Sequence, residues 1–207
     1  MKLCLISDTH GFHSRVTVPP ADILIFAGDM SMSGTRDEIA DFAQWWKDLP
    51  HPRKAVIAGN HDWLFQKDPE SARKLLKGCG YLQDSEVTLA GLRIWGSPWQ
   101  PWFLDWAFNL QCGAEIRAKW DLIPEGIDIL VTHGPPLGRG DRVEGGEDAG
   151  CADLLEAIRA RVKPRWHVCG HIHEGYGVTQ DGGTTFINAS VCDAGYAPVN
   201  KALVLDF

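Results

Sequence analysis

Short clusters of Asp, Asn and His residues recur at five places in this chain, and each follows an apolar run that predicts a β-strand. The clusters are Asp8-Thr9-His10, Gly28-Asp29, Gly59-Asn60-His61-Asp62, Thr132-His133-Gly134 and Gly170-His171-Ile172-His173. Together they contain three carboxylates, one amide oxygen and five imidazoles. This is a ligand set for two divalent metals that share one bridging carboxylate, and such metal pairs catalyse hydrolysis, chiefly of phosphate esters.

Each cluster by itself is weak support for a metal site, because D-x-H and H-x-H spacings are common and a lone histidine at a strand end is usually structural. Five clusters in succession are a stronger signal. In layered α/β proteins, the loops that follow strand ends carry the functional residues, so these clusters should converge. Mixed nitrogen and oxygen ligands with one neutral amide favour Mn, Fe or Zn over Ca or Mg.

The elements that must position these clusters follow from hydrophobic periodicity. Strands are predicted at residues 2–7, 22–27, 54–58, 127–131 and 166–169, with a hairpin over 86–95 and short strands and turns over 176–207. Helices are predicted from the capping box of Thr35 and Glu38 to the stop at Pro50, and at residues 68–77, 114–122 and 151–162. Strands alternate with helices early and pair with strands later, which predicts one α/β domain over residues 1–207 with a mixed sheet.

Composition narrows the class of partner. The chain has 207 residues, of which 44% are apolar and 23% are charged, and its net charge is −7. An acidic protein of this size is not expected to bind duplex nucleic acid, whereas a small phosphorylated substrate is compatible with bound cations. The six cysteines form no C-x-x-C pair, and we find no signal peptide or membrane-spanning run. We therefore expect a cytoplasmic protein with reduced thiols and no membrane partner.

The order D-x-H, G-D, G-N-H-[DE], H, G-H-x-H resembles the signature of the calcineurin-like metallophosphoesterases, and all five blocks are intact. The resemblance implies an α/β fold in which two mixed β-sheets pack face to face and are flanked by helices, in four layers. It also implies two metal sites that share Asp29. The first would be held by Asp8, His10, Asp29 and His173, and the second by Asp29, Asn60, His133 and His171.

A closer likeness runs along nearly the whole chain, through segments such as Tyr81-Leu-Gln-Asp-Ser-Glu-Val, Trp99-Gln-Pro-Trp-Phe and His133-Gly-Pro-Pro-Leu-Gly. These segments are similar to the brain-type metallophosphoesterase-domain proteins, a branch similar to the class III cyclic-nucleotide phosphodiesterases. The likeness implies a phosphodiesterase that acts on cyclic or other nucleotide diesters with two divalent metals, Mn or Fe foremost and Zn as a third choice. A phosphomonoesterase or protein phosphatase is the alternative. A non-enzymatic scaffold is disfavoured, because the ligands and His61 are retained.

The reaction expected from such a site is attack on phosphorus by a hydroxide held between the two metals. The leaving oxygen needs a proton at neutral pH. His61 is the candidate donor, since imidazole side chains titrate near neutrality and the matching histidine of the family contacts the scissile phosphate. Asp62 is expected to orient His61.

Three further residues are candidates for substrate contacts: His13, Trp99 and Arg139. His13 follows His10 closely but could be an exposed loop residue, and Arg139 could reach a phosphate from the glycine-rich loop 138–150 or remain a solvated charge. Segment 95–108 is rich in tryptophan and phenylalanine. It could form a base-stacking wall, pack in the core or mediate a homodimer, and the sequence leaves these interpretations open.

Overall fold

The computed structural model describes all 207 residues and contains twelve strands and five α-helices. The strands are β1 (Lys2–Ile6), β2 (Ile23–Ala27), β3 (Lys54–Ile57), β4 (Ser85–Leu89), β5 (Leu92–Ser97), β6 (Gln100–Pro101), β7 (Asn109–Leu110), β8 (Ile129–Thr132), β9 (Trp166–Cys169), β10 (Gly177–Asp181), β11 (Thr184–Asn188) and β12 (Leu203–Asp206). The helices are α1 (Arg36–Asp48), α2 (Leu64–Lys67), α3 (Pro69–Leu75), α4 (Ala114–Trp120) and α5 (Ala152–Ala157), the last continued by a π-helical turn, Ile158–Val162.

Two large sheets organise the chain. The four-stranded sheet has the order β12-β1-β2-β3, in which β1, β2 and β3 are parallel and β12 is antiparallel to β1. The six-stranded sheet has the order β10-β11-β9-β8-β5-β4, with a parallel centre and an antiparallel strand at each edge. Both sheets are therefore mixed, as the resemblance predicted.

The side chains of β1 and β2 alternate between two hydrophobic cores. Leu5 and Ile25 point into a core that lies between the two sheets. Cys4 and Phe26, on the opposite face, pack with α1 in a second core. Successive residues of a strand face opposite sides, so a fully apolar strand covered on both faces reads as one continuous hydrophobic run.

The outer face of the six-stranded sheet is covered by α4 and α5. Trp120 of α4 and Leu154 of α5 are buried in a third core together with Leu130 of β8 and Phe186 of β11. The layers thus run helix, sheet, sheet, helix, and the predicted four-layer α/β class is confirmed.

Capping residues, turn residues and hydrophobic periodicity predict most of the helices and strands correctly. The capping box is formed, because the Thr35 side chain accepts a hydrogen bond from the Glu38 amide and the Glu38 carboxylate accepts one from the Thr35 amide. The hairpin of β4 and β5 turns at Ala90 and Gly91, both with positive φ. Helix α2 and the two-stranded ribbon of β6 and β7 had not been predicted, because each is too short to show periodicity. None of the helices has the length and apolarity required to cross a bilayer.

Candidate metal centre and active site

The polar clusters converge at one edge of the packed sheets. Each follows the carboxyl end of a parallel strand, and such ends meet at a shared edge. From the four-stranded sheet come Asp8 and His10 after β1, Asp29 after β2, and Asn60 and His61 after β3; from the six-stranded sheet come His133 after β8, and His171 and His173 after β9. The site is therefore assembled from both sheets.

Four of the candidate ligands lie on backbone that side chains other than glycine rarely adopt. The φ angles are 55° at Asp8, 43° at His10, 58° at Asp29 and 68° at His171. Asp and His tolerate this left-handed region better than most residues, but it still costs on the order of 1 kcal/mol or more per residue. Concentrated strain of this kind is typical of functional sites, where the fold holds side chains in an unfavourable but useful direction.

Two glycines let backbone pass directly beside the carboxylates. A Cβ atom at Gly59 would collide with Asp29 Oδ1, and one at Gly170 would collide with Asp8 Oδ2. These contacts explain the glycines of G-N-H and G-H-x-H: Gly59 leaves space for a carboxylate that follows the neighbouring strand β2, and Gly170 for one that follows β1 of the other sheet.

The first cluster contains Asp8, His10 and His173. The two Nε2 atoms of His10 and His173 are 3.1 Å apart, and His173 Nε2 is 3.5 Å from Asp8 Oδ1. His173 Nδ1 is 2.8 Å from the carbonyl oxygen of Asp193, which fixes the proton on Nδ1 and leaves the Nε2 lone pair facing Asp8. A lone pair that faces other acceptors requires a proton or a cation between them, so this donor set fits a metal.

The second cluster repeats the arrangement around His133. Its Nδ1 is 2.9 Å from the Ala27 carbonyl oxygen, and its Nε2 is 2.8 Å from Asn60 Oδ1 and 3.3 Å from Asp29 Oδ2. The same Asp29 oxygen lies 3.8 Å from His10 Nε2, so one carboxylate faces both clusters. The structure thus brings the residues of both predicted sites together with Asp29 between them.

His171 lies beside the second cluster. Its ring centroid is 5.1 Å from that of His133, and its backbone amide donates to Asp8 Oδ1 at 3.0 Å. It is not among the three tight groups of ligand atoms, which are Asp8-His10-His173, His10-Asp29-His61 and Asp8-Asp29-His133. His171 would therefore lie beside a cation at the second position, and it lines the cavity over the clusters.

The histidines divide into two electrostatic types. Burial alone would lower the pKa of His133 and of His173, but the Asp29 and Asp8 carboxylates outweigh it and raise both pKa values to about 9. Burial dominates at His10 and His171, whose pKa values fall to about 4 and about 3. The pKa of Asp29 is raised by burial but lowered further by its histidine neighbours, so the carboxylate is ionised at all physiological pH values.

His61 faces the cavity with a fixed ring. Its Nδ1 is 2.7 Å from the Met32 carbonyl oxygen, so Nε2 points into the site. The ring of Trp106 stacks on it with centroids 4.1 Å apart and an interplanar angle of 27°. The His61 amide also donates to Asp29 Oδ1 at 2.8 Å, which ties this residue to the bridging carboxylate.

The expected role of Asp62 needs correction. Its carboxylate does not touch His61; it is fully buried and accepts hydrogen bonds from the Gly59 amide at 2.8 Å and from the Ser31 amide and hydroxyl at 3.0 and 2.6 Å. Burial raises the pKa of Asp62 to about 7, with the charge of Asp29 adding to the effect. Asp62 therefore braces the two ligand-bearing loops, and the Met32 carbonyl is the group that orients His61.

A cavity of about 360 Å³ opens over the clusters. Asp29, His61 and His171 form part of its floor, and Trp102, Phe103 and Trp106 part of its wall. Its lining contains no lysine or arginine, and Glu174 is the one carboxylate besides Asp29. Apart from its histidines, positive charge in this cavity would therefore have to come from bound cations.

The three residues expected to contact substrate do not line this cavity. The His13 Nε2 pairs with Asp41 at 3.2 Å. The Trp99 Nε1 donates to Asp84 at 2.9 Å. Arg139 forms an ion pair with the Asp181 carboxylate. In each case an acidic partner elsewhere in the chain holds the polar group of the side chain.

The aromatic segment 95–108 divides in the fold. Trp95 and Phe108 are buried core residues, and Trp99 packs edge-on against Phe108. Trp102 and Phe103, by contrast, are more than half exposed and lie on the cavity wall. The segment is thus both core and site, which its composition could not show.

Tyr196 is a cavity residue that sequence reasoning missed. Its ring lies 4.7 Å from that of His10 and 5.3 Å from that of His173, and its φ is 62°. Segment 189–196 follows β11, which pairs directly with the ligand-bearing β9. The strand-end rule that predicted the other clusters could therefore have pointed to this loop.

Comparison with known proteins places this geometry in a family. The family model described as calcineurin-like phosphoesterase matches residues 1–175. Metallophosphoesterase domain-containing protein 1 from Homo sapiens is 47% identical over 225 residues, an alignment that covers 97% of this chain and 69% of the human protein. UPF0046 protein T07D4.2 from Caenorhabditis elegans is 38% identical, and the alignment covers 100% of this chain and 60% of the worm protein.

The fold is also similar to that of solved structures. The crystal structure of TT1561 of Thermus thermophilus superposes with a TM-score of 0.60 at 12% identity, covering 90% of this chain and 88% of that protein. A likeness at this level of identity concerns the fold alone.

Proposed function

This chain belongs to the calcineurin-like phosphoesterase family, and on that premise we propose that it is a phosphodiesterase that works with two divalent cations and acts on nucleotide-like diesters. The observation that carries the proposal is the convergence of both ligand clusters on Asp29, with His61 facing the same cavity. Family membership supports a metal-dependent phosphoester hydrolase; the preference for diesters is the finer part of the proposal.

The two cation positions would be held as the geometry suggests. Asp8, His10 and His173 would hold one cation and Asn60, His133 and His171 the other, with Asp29 shared. Two bound cations would supply electrostatic stabilisation of the phosphate and activation of a water molecule. Carbonyl groups at the Nδ1 atoms of His133 and His173 leave the Nε2 atoms free to bind the cations, which is the usual support for metal-binding imidazoles.

His61 would supply the proton. Since its Nδ1–H is bound to the Met32 carbonyl, Nε2 is the atom that can pass a proton to the leaving oxygen. Stacking of Trp106 on the ring limits rotation, so the proton would be held in one direction. Proximity of this kind contributes to catalysis because the donor does not need to be ordered during the reaction.

The charge of the cavity supports a diester substrate. A phosphate diester carries one negative charge, whereas a monoester at neutral pH carries close to two. Enzymes that bind dianionic phosphate commonly add arginine or lysine contacts, but this cavity offers none and Glu174 adds a negative group. A monoanionic substrate is therefore favoured.

The test is an assay panel on purified protein supplied with Mn²⁺. It compares bis-p-nitrophenyl phosphate, p-nitrophenyl phosphate, 2′,3′-cyclic AMP and 3′,5′-cyclic AMP, with the Asp29→Asn variant as a control for contaminating phosphatases. We expect turnover of bis-p-nitrophenyl phosphate and of at least one cyclic nucleotide to exceed that of the monoester. Monoester turnover far above diester turnover would overturn the proposal.

A further inference from the structure

Three consecutive apolar side chains stand exposed at the mouth of the cavity. Trp102, Phe103 and Leu104 are 56%, 55% and 65% exposed. A run of exposed apolar residues is unfavourable in water, and in a folded protein it is usually kept for a function. Trp102 and Phe103 line the cavity that contains the candidate metal ligands, whereas Leu104 does not.

The backbone of this run is held in place although its side chains are exposed. The Asn109 side-chain amide donates to the carbonyl oxygens of Phe103 and Leu104, both at 3.1 Å. The Trp102 amide donates to the Leu110 carbonyl at 2.9 Å, within the ribbon of β6 and β7. The two rings are therefore presented from a fixed support, which reduces the ordering cost of binding a ligand.

The Phe103 ring lies beside the second cluster, whereas the candidate proton donor His61 lies beside the first. The Phe103 ring is 6.5 Å from that of His171, beside the second cluster. His61, by contrast, lies 4.6 Å from the His10 ring in the first cluster. A leaving group protonated by His61 lies on the side of the first cluster, which leaves the side of the second cluster, with Phe103, for the group that stays attached to phosphorus.

We propose that Trp102 and Phe103 form a specificity subsite that binds a flat, uncharged, apolar substituent on the phosphate, the one that remains attached after hydrolysis. This inference rests on the proposed function for its orientation. Stacking on aromatic rings rewards a planar substituent, and the absence of lysine and arginine from the cavity lining gives a charged one no partner.

The first test varies only the substituent that stays. Methyl p-nitrophenyl phosphate and phenyl p-nitrophenyl phosphate share one leaving group and differ in the remaining group. We expect the Mn²⁺-loaded wild-type protein to prefer the phenyl diester in kcat/KM on the order of 10-fold, the size of a favourable aromatic contact. In Trp102→Ala and Phe103→Ala this ratio should fall toward 1.

Leu104→Ala is the matched control, because Leu104 is as exposed and as apolar as its two neighbours but lies outside the cavity lining. It should keep the wild-type ratio. A ratio near 1 in the wild type, a ratio retained in both ring variants, or an equal loss in Leu104→Ala would each overturn the subsite.

A binding measurement separates the subsite from the reaction. Isothermal titration of the Mn²⁺-loaded protein with phenyl phosphate and with methyl phosphate requires no turnover. We expect phenyl phosphate to bind on the order of 10-fold more tightly, and the difference to disappear in Trp102→Ala. If diesters are not hydrolysed but this difference in affinity is found, the proposed function fails and the subsite stands. If diesters are hydrolysed but the two phosphates bind equally well, the subsite fails and the proposed function stands.

Discussion

The two sheets contribute different chemistry to the same site. The four-stranded sheet supplies every oxygen ligand, Asp8, Asp29 and Asn60, together with His10. The six-stranded sheet supplies imidazoles only, His133, His171 and His173. Neither sheet has a complete set for two cations, so the site exists only where the sheets dock.

The two contributions are also held by different means. On the four-stranded sheet, Asp8, His10 and Asp29 are aimed by strained turns with positive φ. On the six-stranded sheet, His133 and His173 are aimed by carbonyl groups at their Nδ1 atoms. The comparison teaches that the Asp8 and Asp29 carboxylates are placed by backbone geometry, whereas the His133 and His173 imidazoles are placed by hydrogen bonds that also select their tautomer. His10 and His171 share the positive φ of the carboxylates.

The largest difference between the sheets should appear when one ligand is removed from each. Asp29→Ala should lose both cations and reduce activity to the background of the assay, because its carboxylate faces both clusters. His133→Ala, on the other sheet, should lose only the second cation. Elemental analysis of the two purified variants gives the stoichiometry. If Asp29→Ala retained one cation per chain, Asp29 would not bridge.

A second prediction concerns the residue of the four-stranded sheet that is expected to act without holding a cation. His61→Ala should lower kcat by roughly 10²–10⁴-fold, the usual range for general acid–base catalysis, with both cations still bound. Asn60→Ala, its neighbour, should instead weaken mainly the second cation. Kinetics and metal content measured on the same samples decide between the two roles. Loss of metal from His61→Ala would make His61 a ligand or a structural residue.

Docking of the sheets can be weakened without touching any ligand. Ile25 lies in the core between the sheets and Leu24, beside it on β2, lies in the core under α1, and both are fully buried. Changing either to Ala should lower the free energy of unfolding by roughly 2–5 kcal/mol. Only Ile25→Ala should also reduce metal affinity, because it alone loosens the junction that aligns the two ligand sets.

Chemical denaturation of the metal-free proteins measures the stability of the two variants, and metal titration measures their affinity. Equal metal affinities at equal losses of stability would show that the site tolerates movement between the sheets.

The last expected effect is a dependence of metal binding on pH that comes from the six-stranded sheet. With pKa values of about 9, His133 and His173 are protonated at pH 7.5 in the metal-free protein, whereas His10 and His171 are neutral. A cation and a proton compete for the same nitrogen, so affinity should rise as the pH increases to 9 and level off above it. Each displaced proton is worth about 1.4 kcal/mol per pH unit.

Calorimetric titration with Mn²⁺ in two buffers of different ionisation enthalpy counts the released protons. We expect a release of about two protons per chain at pH 7.5. The stability of the metal-free fold depends on pH in the opposite direction to metal affinity. The raised pKa values of His133 and His173 stabilise the metal-free fold below pH 6.5, and this contribution is lost as the pH rises through 9. Binding without proton release would contradict the assignment of the two charged imidazoles.

Much of the site could be predicted from the sequence because its ligands follow strands that are easy to recognise. Continuous apolar runs end at Asp8, Asp29 and Asn60, and the structure brings these residues together. The role of Asp62 and the contacts of Arg139 could not be predicted in the same way. Asp62 accepts hydrogen bonds from a loop about thirty residues away, and Arg139 pairs with Asp181, 42 residues further along the chain.

The sequence by itself determined the identity and order of the candidate metal-ligating residue types and an α/β chain with a mixed sheet, since strand periodicity and turn chemistry are local properties; the four-layer arrangement was implied by the family resemblance. Tertiary structure alone decided that Asp29 faces both clusters, that Met32 rather than Asp62 orients His61, and that Trp102 and Phe103 line the cavity while Trp95 and Phe108 are buried. The reason is geometric: a distance between atoms on two sheets depends on how their buried faces pack, and side chains far apart in the chain set that packing together.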